Sequence, residues 1–262
     1  MWPGRLASGR MLRPLAGPAE LLAATGSDPF LRSQLRGARR LGPAWSFEGA
    51  VGWVGIDAEE RVGYLSVLGT PAAAARLVAE VADEARSALS LLRISVPRGT
   101  PAELSPVYRL ESSVDWDFRW TRVAPPPTAG ERLVQWLVSP ADERAVAALL
   151  EVASPRTSVR PRDPDVRRWA GIRGQGGRLD ACAADTSGVA DVGHVSALAT
   201  RSECRGRGLG TAVTGWLTRQ LLAEFDLVTL GVYADNAAGL RLYDRLGYAA
   251  DHHFTSGVLR RC

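Results

Sequence analysis

The chain has 262 residues and a net charge of +4, and 46% of its residues are hydrophobic. This length is enough for one large domain or two small ones, each with a buried core. The sequence contains no lysine, which excludes a Walker A nucleotide site because that loop uses a lysine to reach the phosphates. The mild positive charge comes without a basic stripe that carries interleaved aromatic residues, so we expect no nucleic-acid binding.

The cysteines and the apolar segments exclude further classes of protein. Cys182, Cys204 and Cys262 form no CxxC pair and have no histidine at metal-ligand spacing, so we expect neither a metal site nor a disulfide framework. No apolar run approaches the ~18 residues that span a bilayer. Residues 1–17 are broken by Pro and Gly and make a poor signal peptide. We therefore expect a cytoplasmic protein without membrane contact.

The first half of the chain predicts a strand at Val62–Thr70, which leads through a proline into an alanine-rich helix. An aromatic, strand-like stretch follows at Val114–Val123. The next segment, Ala124–Gly130 (APPPTAG), contains three consecutive prolines, which fit neither a helix nor a central strand. We place the domain boundary there, with an N-terminal domain at residues 1–123, a linker at 124–130 and a C-terminal domain at 131–262.

The second half predicts strands and helices in alternation, which is an α/β pattern around a mixed sheet. The predicted strands are Arg132–Val138, the hairpin Arg168–Arg173 with Arg178–Ala184, Asp191–Thr200, Leu227–Ala234 in a central position, and a final strand pair. The predicted helices are Pro140–Val152 with Ala145, Leu149 and Val152 on its buried face, Gly208–Phe225, and one that Asn236 caps and Gly247 ends.

A weak internal repeat links the two halves. Val62–Thr70 (VGYLSVLGT) and Val192–Thr200 (VGHVSALAT) are identical at five of nine positions. Further on, Ile94–Val96 resembles Leu230–Val232, and the spacing in the second half is longer by the length of Arg205–Gly210. We interpret this pattern as a duplicated strand–helix–strand unit. Chance similarity between two units of common residues is the alternative.

The segment that only the second half contains predicts an anion site. Glycines at alternate positions let the backbone turn tightly and leave its N–H groups unobstructed. These groups lie at a helix N-terminus, where unpaired donors and the helix dipole favour an anion such as pyrophosphate. The spacing differs from the dinucleotide fingerprint G-x-G-x-x-G. A plain glycine-rich turn with solvated arginines remains open from the loop alone. The loop residues are Arg205, Gly206, Arg207, Gly208, Leu209 and Gly210.

Three motifs in order resemble the GNAT superfamily of acetyltransferases. Arg205, Gly208 and Gly210 match that family's Arg/Gln-x-x-Gly-x-Gly/Ala phosphate loop. An asparagine follows the next strand, and a Leu-Tyr pair precedes a Leu-Gly-Tyr sequence. Motifs in the right order are far more specific than any one of them. The residues of the last two motifs are Asn236, Leu242, Tyr243, Leu246, Gly247 and Tyr248.

The resemblance implies the fold and the extent of the catalytic part. It is good over Asp191–Tyr248 and loose back to Glu131. The implied fold class is α/β (mixed α+β), with tandem GNAT-like domains, each a mixed, mostly antiparallel twisted sheet flanked by helices. The C-terminal domain would be catalytic. The N-terminal copy would be degenerate and non-catalytic because it lacks the glycine loop and its tyrosine is lost or shifted.

The resemblance also implies acetyl-CoA as the co-substrate, bound without a metal. The backbone of one strand end would pair with the pantetheine amides, and the phosphate loop through Thr211 would hold the pyrophosphate. Asn236 would bind near the thioester. The residues of the strand end are Leu198, Ala199 and Thr200.

The implied reaction is the direct attack of an amine on the thioester carbonyl in a ternary complex. Tyr243 would then protonate the departing thiolate, although a buried core tyrosine is the structural alternative. His194 lies in the strand that precedes the loop and is a candidate base, although a lone histidine is also often structural. No base is assigned firmly. Direct transfer needs no acyl-enzyme, so we interpret Cys204 as incidental.

Three functions remain open at this point. The first is transfer of an acetyl group to the primary amine of a small molecule. The second is acetylation of a protein or peptide, and the third is a non-catalytic acyl-CoA-binding regulatory module. The sequence names neither the acceptor nor the oligomeric state, which we expect to be monomer or homodimer.

Overall fold

The computed structural model describes residues 12–35, 40–57, 62–86, 89, 91–104, 106–188 and 191–262. Backbone contacts group the described residues into two compact units. Unit 1 contains the described residues of 12–117 together with 252–262, and unit 2 contains residues 118–251. The linker at residues 124–130 and the domain bounds on either side of it stay a prediction. We predicted that residues 1–17 make a poor signal peptide, and residues 1–11 of this segment lie outside the described residues.

The described residues contain seven α-helices and twelve β-strands. The helices are α1 Pro18–Ala24, α2 Pro29–Gln34, α3 Pro71–Arg86, α4 Thr100–Glu103, α5 Pro140–Ala153, α6 Leu209–Leu222 and α7 Ala237–Arg245. The strands are β1 Arg13–Pro14, β2 Arg40–Phe47, β3 Ala50–Asp57, β4 Val62–Leu68, β5 Leu91–Pro97, β6 Tyr108–Thr121, β7 Val134–Leu137, β8 Arg168–Arg173, β9 Leu179–Asp185, β10 Gly193–Thr200, β11 Val228–Tyr233 and β12 Ala249–Arg261. Among these residues, no helix is long and apolar enough to cross a lipid bilayer.

Unit 1 is a mixed sheet with the strand order β1-β2-β3-β4-β5-β12-β6. Strands β2, β3 and β4 form an antiparallel meander, and α3 then connects β4 to its parallel neighbour β5. The chain's last strand, β12, pairs with β5 in antiparallel orientation. The alanine-rich helix α3 buries one whole face against this sheet, from Ala73 to Ala85. Small residues there let helix and sheet approach closely, which removes apolar surface from water.

Unit 2 repeats this topology. Its sheet has the order β6-β11-β10-β9-β8-β7. Strands β8, β9 and β10 form an antiparallel meander, and α6 connects β10 to its parallel neighbour β11. Because both units contain the same meander, crossover helix and parallel strand, the repeat that we inferred from Val62–Thr70 and Val192–Thr200 has a structural counterpart. The fold class, a mixed and mostly antiparallel sheet flanked by helices, is confirmed.

Two apolar cores lie on the two faces of the unit 2 sheet. One packs α6 and α7 against the sheet and includes Val213, Leu217 and Leu230. The other packs α5 against the opposite face. Helix α6 buries Leu209, Val213, Leu217 and Leu221 in the first of these cores, whereas Trp216 is only partly buried. Strand β11 has neighbours on both sides, as its apolar sequence predicted.

Two predictions about elements are wrong. Helix α5 buries Val146, Leu149 and Leu150, whereas Val152 is 69% exposed. The helix is therefore rotated about its axis relative to the face that we predicted, because tertiary packing decided which apolar residues it buries. The predicted final strand pair is one continuous strand, β12.

The start of α5 carries a pH-dependent capping box. Asp142 accepts hydrogen bonds from the backbone N–H and the hydroxyl of Ser139 and pairs with Arg173. Its hydrogen bonds to Ser139 lower the pKa of Asp142 to about 2. Because the folded-state pKa lies below the unfolded value near ~3.9, this carboxylate stabilises the fold above about pH 4 and loses its effect as the pH falls towards 2.

We expect Asp142→Asn to lower the free energy of unfolding by about 1 kcal/mol at pH 7. The deficit should shrink as the pH falls from 4 towards 3. Urea unfolding of wild type and variant across this range measures it. Glu143→Gln is the control because Glu143 lies in the same helical turn but makes only an exposed pair with Arg162. A deficit that does not change with pH would contradict the assignment.

Candidate functional site

The site in unit 2 begins where β10 and β11 separate. The two strands pair in parallel from Gly193↔Val228 to Val195↔Leu230, although both continue beyond that point. On its other side, β10 pairs with β9, and the register shifts between Ser196 and Ala199. One extra residue on β10 therefore forms a β-bulge. The strand end Leu198–Thr200, whose backbone we expected to pair with pantetheine amides, begins within this bulge.

Ala197 in the bulge has a backbone φ of 50°. This left-handed conformation costs an L-residue about 1–2 kcal/mol, and such strain is concentrated at functional sites. The bulge takes Ala197 and Leu198 out of the β9–β10 register. On the other side of β10, the pairing with β11 ends at Val195, so the backbone of β10 beyond that residue borders the opening between β10 and β11.

Beyond β10 the chain forms a loop whose backbone amides point away from the protein's own acceptors. Gly206 and Gly208 have φ values of 76° and 77°, and Gly208 is the N-cap of α6. The first amide of this segment with an intrahelical partner is that of Ala212, which donates to the carbonyl of Gly208. Within the described part of the chain, six consecutive amides donate to no protein group. They belong to Gly206, Arg207, Gly208, Leu209, Gly210 and Thr211.

The glycine positions have different physical reasons. A Cβ at Gly206 or Gly208 would meet nothing within 4 Å, so glycine is needed there for its backbone conformation. A Cβ at Gly210 would lie 3.2 Å from Thr200 Oγ1 and 3.3 Å from a methyl of Leu242. Glycine at that position therefore allows α6 to begin close to the end of β10 and to α7.

These amides face a cavity of about 980 Å³ in unit 2. Five arginines and no acidic residue line it, so its charge favours an anionic ligand. Four of these arginines form no ion pair with the described residues. The lining arginines are Arg156, Arg205, Arg207, Arg241 and Arg245. In the described part of the chain, no cluster of three or more His, Cys, Asp or Glu side chains is arranged to hold a metal.

Most predicted cofactor residues meet in this cavity. Asn236 lines it and also caps α7, because its side-chain oxygen accepts from the amide of Gly239 at 3.0 Å. Ala199 does not line the cavity, since its side chain is buried in the core below α5. The roles of the predicted residues in binding a cofactor stay predictions. The predicted residues in the lining are Leu198, Thr200, Arg205, Gly206, Arg207, Gly208, Leu209, Gly210, Thr211 and Asn236.

Arg205 anchors the loop to two other elements. Its Nε donates to the carbonyl of Thr200 at 3.2 Å, and its Nη2 donates to the carbonyl of Ala153 at 3.3 Å. The side chain thus ties the phosphate loop to the ends of β10 and α5. Cys204 is buried beside the loop and lines the cavity. Its interpretation as incidental stays a prediction.

The sequence did not single out several lining residues. The guanidinium of Arg156 lies 4.4 Å from the ring centre of Tyr233 and makes two hydrogen bonds with Asp235. Those bonds lower the pKa of Asp235, so the pair is neutral overall at neutral pH. Arg241 and Arg245 are four residues apart on α7, so they lie on one helical face. This spacing of four residues is visible in the sequence and could have indicated that the two arginines lie on one face of the helix.

Tyr243 is buried and lies in the core between α7 and the sheet, where its ring contacts that of Tyr248. It does not line the cavity. Its hydroxyl makes no hydrogen bond with the described residues, whereas the hydroxyl of Tyr248 pairs with that of Thr218 at 2.7 Å. Burial raises the pKa of Tyr243 above its ordinary value of 10.0. The group is therefore protonated at neutral pH and able to donate.

His194 lies on β10 immediately before the last residue that pairs with β11. Its Nδ1 lies 2.7 Å from Oγ1 of Thr229, its partner in the parallel register. Its backbone amide donates to Oγ of Ser187 at 2.8 Å. The histidine is partly exposed and does not line the cavity. Its assignment as a base stays a prediction.

In the described part of unit 1, the equivalent place has neither the β-bulge nor the free amides of the loop in unit 2. Strands β3 and β4 pair without a register shift, and β4 and β5 stay paired to Ser66↔Ser95. Pro71 begins α3 and has no N–H, and the amide of Ala73 lies 3.3 Å from Oγ1 of Thr70, which accepts from it. The described part of unit 1 therefore has neither a bulge nor a row of free amides at this place, and the interpretation of the first copy as degenerate stays a prediction.

One family model and several solved structures are similar to this chain. Residues 171–255 match the family model described as FR47-like protein. The fold is similar to that of a GCN5-related N-acetyltransferase from Kribbella flavida, with 20% identity and a TM-score of 0.56 over 90% of this chain and 95% of that one. No protein of curated function matches the sequence significantly.

Two further solved structures share the fold. A putative GNAT acetyltransferase from Novosphingobium aromaticivorans has 21% identity and a TM-score of 0.55 over 80% of this chain and 88% of that one. A GCN5-related N-acetyltransferase from Sphaerobacter thermophilus has 16% identity and a TM-score of 0.56 over 98% and 97% of the two chains. The match therefore extends over both units.

Proposed function

We propose that this chain belongs to the GNAT superfamily, whose fold it shares and whose FR47-like model matches residues 171–255, and that unit 2 transfers an acetyl group from acetyl-CoA to the primary amine of a small molecule. The GNAT fold supports acyl transfer in general. The donor, the acceptor and the residue roles below are our proposal.

One observation carries the proposal. Six consecutive backbone amides, from Gly206 to Thr211, have no acceptor within the described protein and border a cavity rich in arginine. Donors at a helix N-terminus that no protein group satisfies favour a ligand with several anionic oxygens. The positive end of α6 adds to the attraction. The pyrophosphate of CoA has this chemistry.

The rest of the cofactor would follow the cavity towards the opening between β10 and β11. The strand end at Leu198–Thr200 has backbone groups beyond the β10–β11 pairing, and these would pair with the pantetheine amides. The thioester carbonyl would then lie at the bulge near Ala197. A backbone N–H aimed at that carbonyl oxygen stabilises the negative charge that develops during attack.

The proposed reaction is direct. The amine nitrogen forms a bond to the carbonyl carbon, the carbon–sulfur bond breaks, and the thiolate takes a proton. Tyr243 is the proposed donor of that proton, because its hydroxyl is protonated at neutral pH and has no partner among the described residues. His194 is the candidate that takes the proton from the amine. No acyl-enzyme is needed, so Cys204 has no role in the proposed reaction.

Calorimetric titration with CoA and acetyl-CoA tests the binding step. We expect one binding site per chain, and we expect this site to bind both CoA and acetyl-CoA. Thiol release from acetyl-CoA in the presence of small amines and of peptides then tests the chemistry. Binding without thiol release for any acceptor would indicate a non-catalytic module, and release with peptides alone would indicate a protein acetyltransferase. Absence of CoA binding would contradict the proposal as a whole.

We expect Arg207→Gln to weaken CoA binding about tenfold, because a hydrogen bond to a charged group contributes about 1.5–3 kcal/mol. Arg207 lines the cavity and forms no ion pair with the described residues. Arg162→Gln is the control, since Arg162 is exposed, pairs with Glu143 and lies outside the cavity. Calorimetry at two salt concentrations should show that the difference shrinks at high salt. Equal affinities of the two variants would contradict a contact between Arg207 and the phosphates.

A further inference from the structure

The segment that leaves α5 crosses the cavity of unit 2. Helix α5 ends at Ala153, and residues 153–156 all line the cavity. Pro155 fixes one backbone angle of this short segment and stiffens it. The first residue of the segment contacts Arg205, which follows β10, and its last residue contacts Tyr233, which ends β11. The segment, which we call the strap, therefore bridges the ends of the two strands that separate.

The first end of the strap is fixed. The carbonyl of Ala153 is one of the last four of α5, which have no partner within the helix. Nη2 of Arg205 donates to it at 3.3 Å, and Nε of the same side chain donates to the carbonyl of Thr200 at 3.2 Å. A cation is favourable at a helix C-terminus. The amide of Ser154 also donates to the carbonyl of Leu150 at 3.0 Å, so this end of the strap continues the last turn of α5.

Contacts of three kinds meet at Arg156, the other end of the strap. Its guanidinium makes two hydrogen bonds with the carboxylate of Asp235, at 2.9 and 2.8 Å. The same guanidinium lies 4.4 Å from the ring centre of Tyr233, and the hydroxyl of Tyr233 donates to the backbone carbonyl of Arg156 at 3.3 Å. Two N–H groups that face one carboxylate fix orientation as well as distance. Arg156 thus specifies where this end of the strap lies relative to β11.

The two ends of the strap differ in how easily they open. The side chains of Arg156 and Asp235 are 57% and 65% exposed. Exposed ion pairs contribute little to stability because water and salt screen them, and an exposed cation–π contact is also weak. The end at Ala153 belongs to a hydrogen-bonded helix instead. We therefore expect the strap to open at Arg156 and to stay attached at Ala153.

We propose that Arg156 is a positioning residue that holds the strap closed over the cavity, and that its release from Asp235 and Tyr233 lets CoA enter and leave. This inference rests on the proposed function for the identity of the ligand, whereas the closed strap is a property of the free protein. The pantetheine arm of CoA would run along the opening between β10 and β11. A strap across that opening retains the arm and has to move before the arm can pass.

The rate of CoA exchange in Asp235→Asn tests the strap, because two effects have opposite signs in this variant. Loss of the carboxylate leaves the charge of Arg156 unpaired at the cavity, and electrostatics alone would then slow the dissociation of CoA. Loss of the anchor would speed it. We expect dissociation to be about two- to fivefold faster than in the wild type, which is the range that an exposed ion pair supplies.

Stopped-flow experiments with etheno-CoA, whose adenine is fluorescent, measure these rates. Because the strap has to open in both directions, we expect association to be faster as well, so that Kd changes by less than either rate constant. Dissociation that is unchanged or slower in Asp235→Asn would overturn the proposal.

Two further variants separate the anchor from other effects. Arg156→Gln removes the ion pair and the ring contact together, and we expect dissociation to be about five- to tenfold faster. Adding Asp235→Asn to it should cause no further increase, because the two residues act through one contact. Arg162→Gln is the control, since Arg162 lies in the same loop, pairs with Glu143 and lies outside the cavity lining. A double variant whose effect equals the product of the two single effects would contradict a shared anchor.

Hydrogen exchange of the free protein tests the strap without a ligand. The amide of Thr157, next to Arg156, donates to the carbonyl of Ser154 at 3.1 Å. We expect the amides of residues 154–157 to exchange about two- to fivefold faster in Asp235→Asn than in the wild type, and at the wild-type rate in Arg162→Gln. Equal exchange in Asp235→Asn and the wild type would refute the closed strap. A wild type that binds no CoA would contradict the proposed function, and the exchange result would then decide the strap by itself.

Discussion

Replacing Tyr243 with Phe should lower kcat by about 10²–10⁴-fold while the affinity for CoA stays unchanged. This range is the usual contribution of one general acid. The reason lies in the hydroxyl, which makes no hydrogen bond with the described residues and is the proposed donor of the proton to the thiolate. Without it, the thiolate would leave without a proton from the protein. Thiol release at saturating acetyl-CoA, together with calorimetric titration of CoA, measures both quantities.

Tyr248→Phe is the matched control. Tyr248 is as buried as Tyr243 and contacts its ring, but its hydroxyl already pairs with Thr218. The hydroxyl of Thr218 donates its proton to the carbonyl of Thr214. Removing the Tyr248 hydroxyl should therefore lower the free energy of unfolding by about 1 kcal/mol and leave kcat within about twofold of the wild type. If both variants lost turnover to the same degree, Tyr243 would act through packing, and its assignment as the acid would be wrong.

The second half of the fold followed from local signals in the sequence. Asn236 caps α7 and Gly247 ends it with a φ of 78°, because the side-chain oxygen of one and the missing Cβ of the other act within a single turn of helix. The hairpin of β8 and β9 was also predicted, and α6 begins next to its predicted first residue but ends at Leu222 instead of Phe225. Such features depend on a few neighbouring residues and can be read from the sequence.

Other features depend on contacts between distant residues. The bulge at Ala197 carries no glycine or asparagine to mark its positive φ, so the sequence gives no local sign of it. Arg156 and Asp235 pair although 79 residues separate them. The buried face of α5 was predicted wrongly because several apolar faces were possible and the sheet selected one. The site is therefore predictable at its phosphate loop and less so at the opening between the strands.

The conformation of the phosphate loop gives the sharpest test of the site. Gly208 has a φ of 77° and open space around the position of a Cβ. A valine side chain would fit there, but its backbone strongly disfavours this φ. To relieve the strain, the loop would change conformation and turn its amides away from the cavity. Because amide bonds to a charged group contribute about 1.5–3 kcal/mol each, loss of two of them predicts that Gly208→Val weakens CoA binding about 100-fold or more.

Gly176 provides the control for strain alone. It has a φ of 69°, a Cβ added there would also meet nothing within 4 Å, and it lies in the turn between β8 and β9, outside the cavity lining. Gly176→Val should lose a similar free energy of unfolding, about 1–2 kcal/mol, and keep its CoA affinity. Gly208→Asn should retain most of the affinity, because asparagine tolerates the left-handed conformation. Equal CoA affinities of Gly208→Val and Gly176→Val, measured by calorimetry on folded protein, would mean that these amides do not hold the pyrophosphate. The anion site would then have to be sought among the arginines of α7.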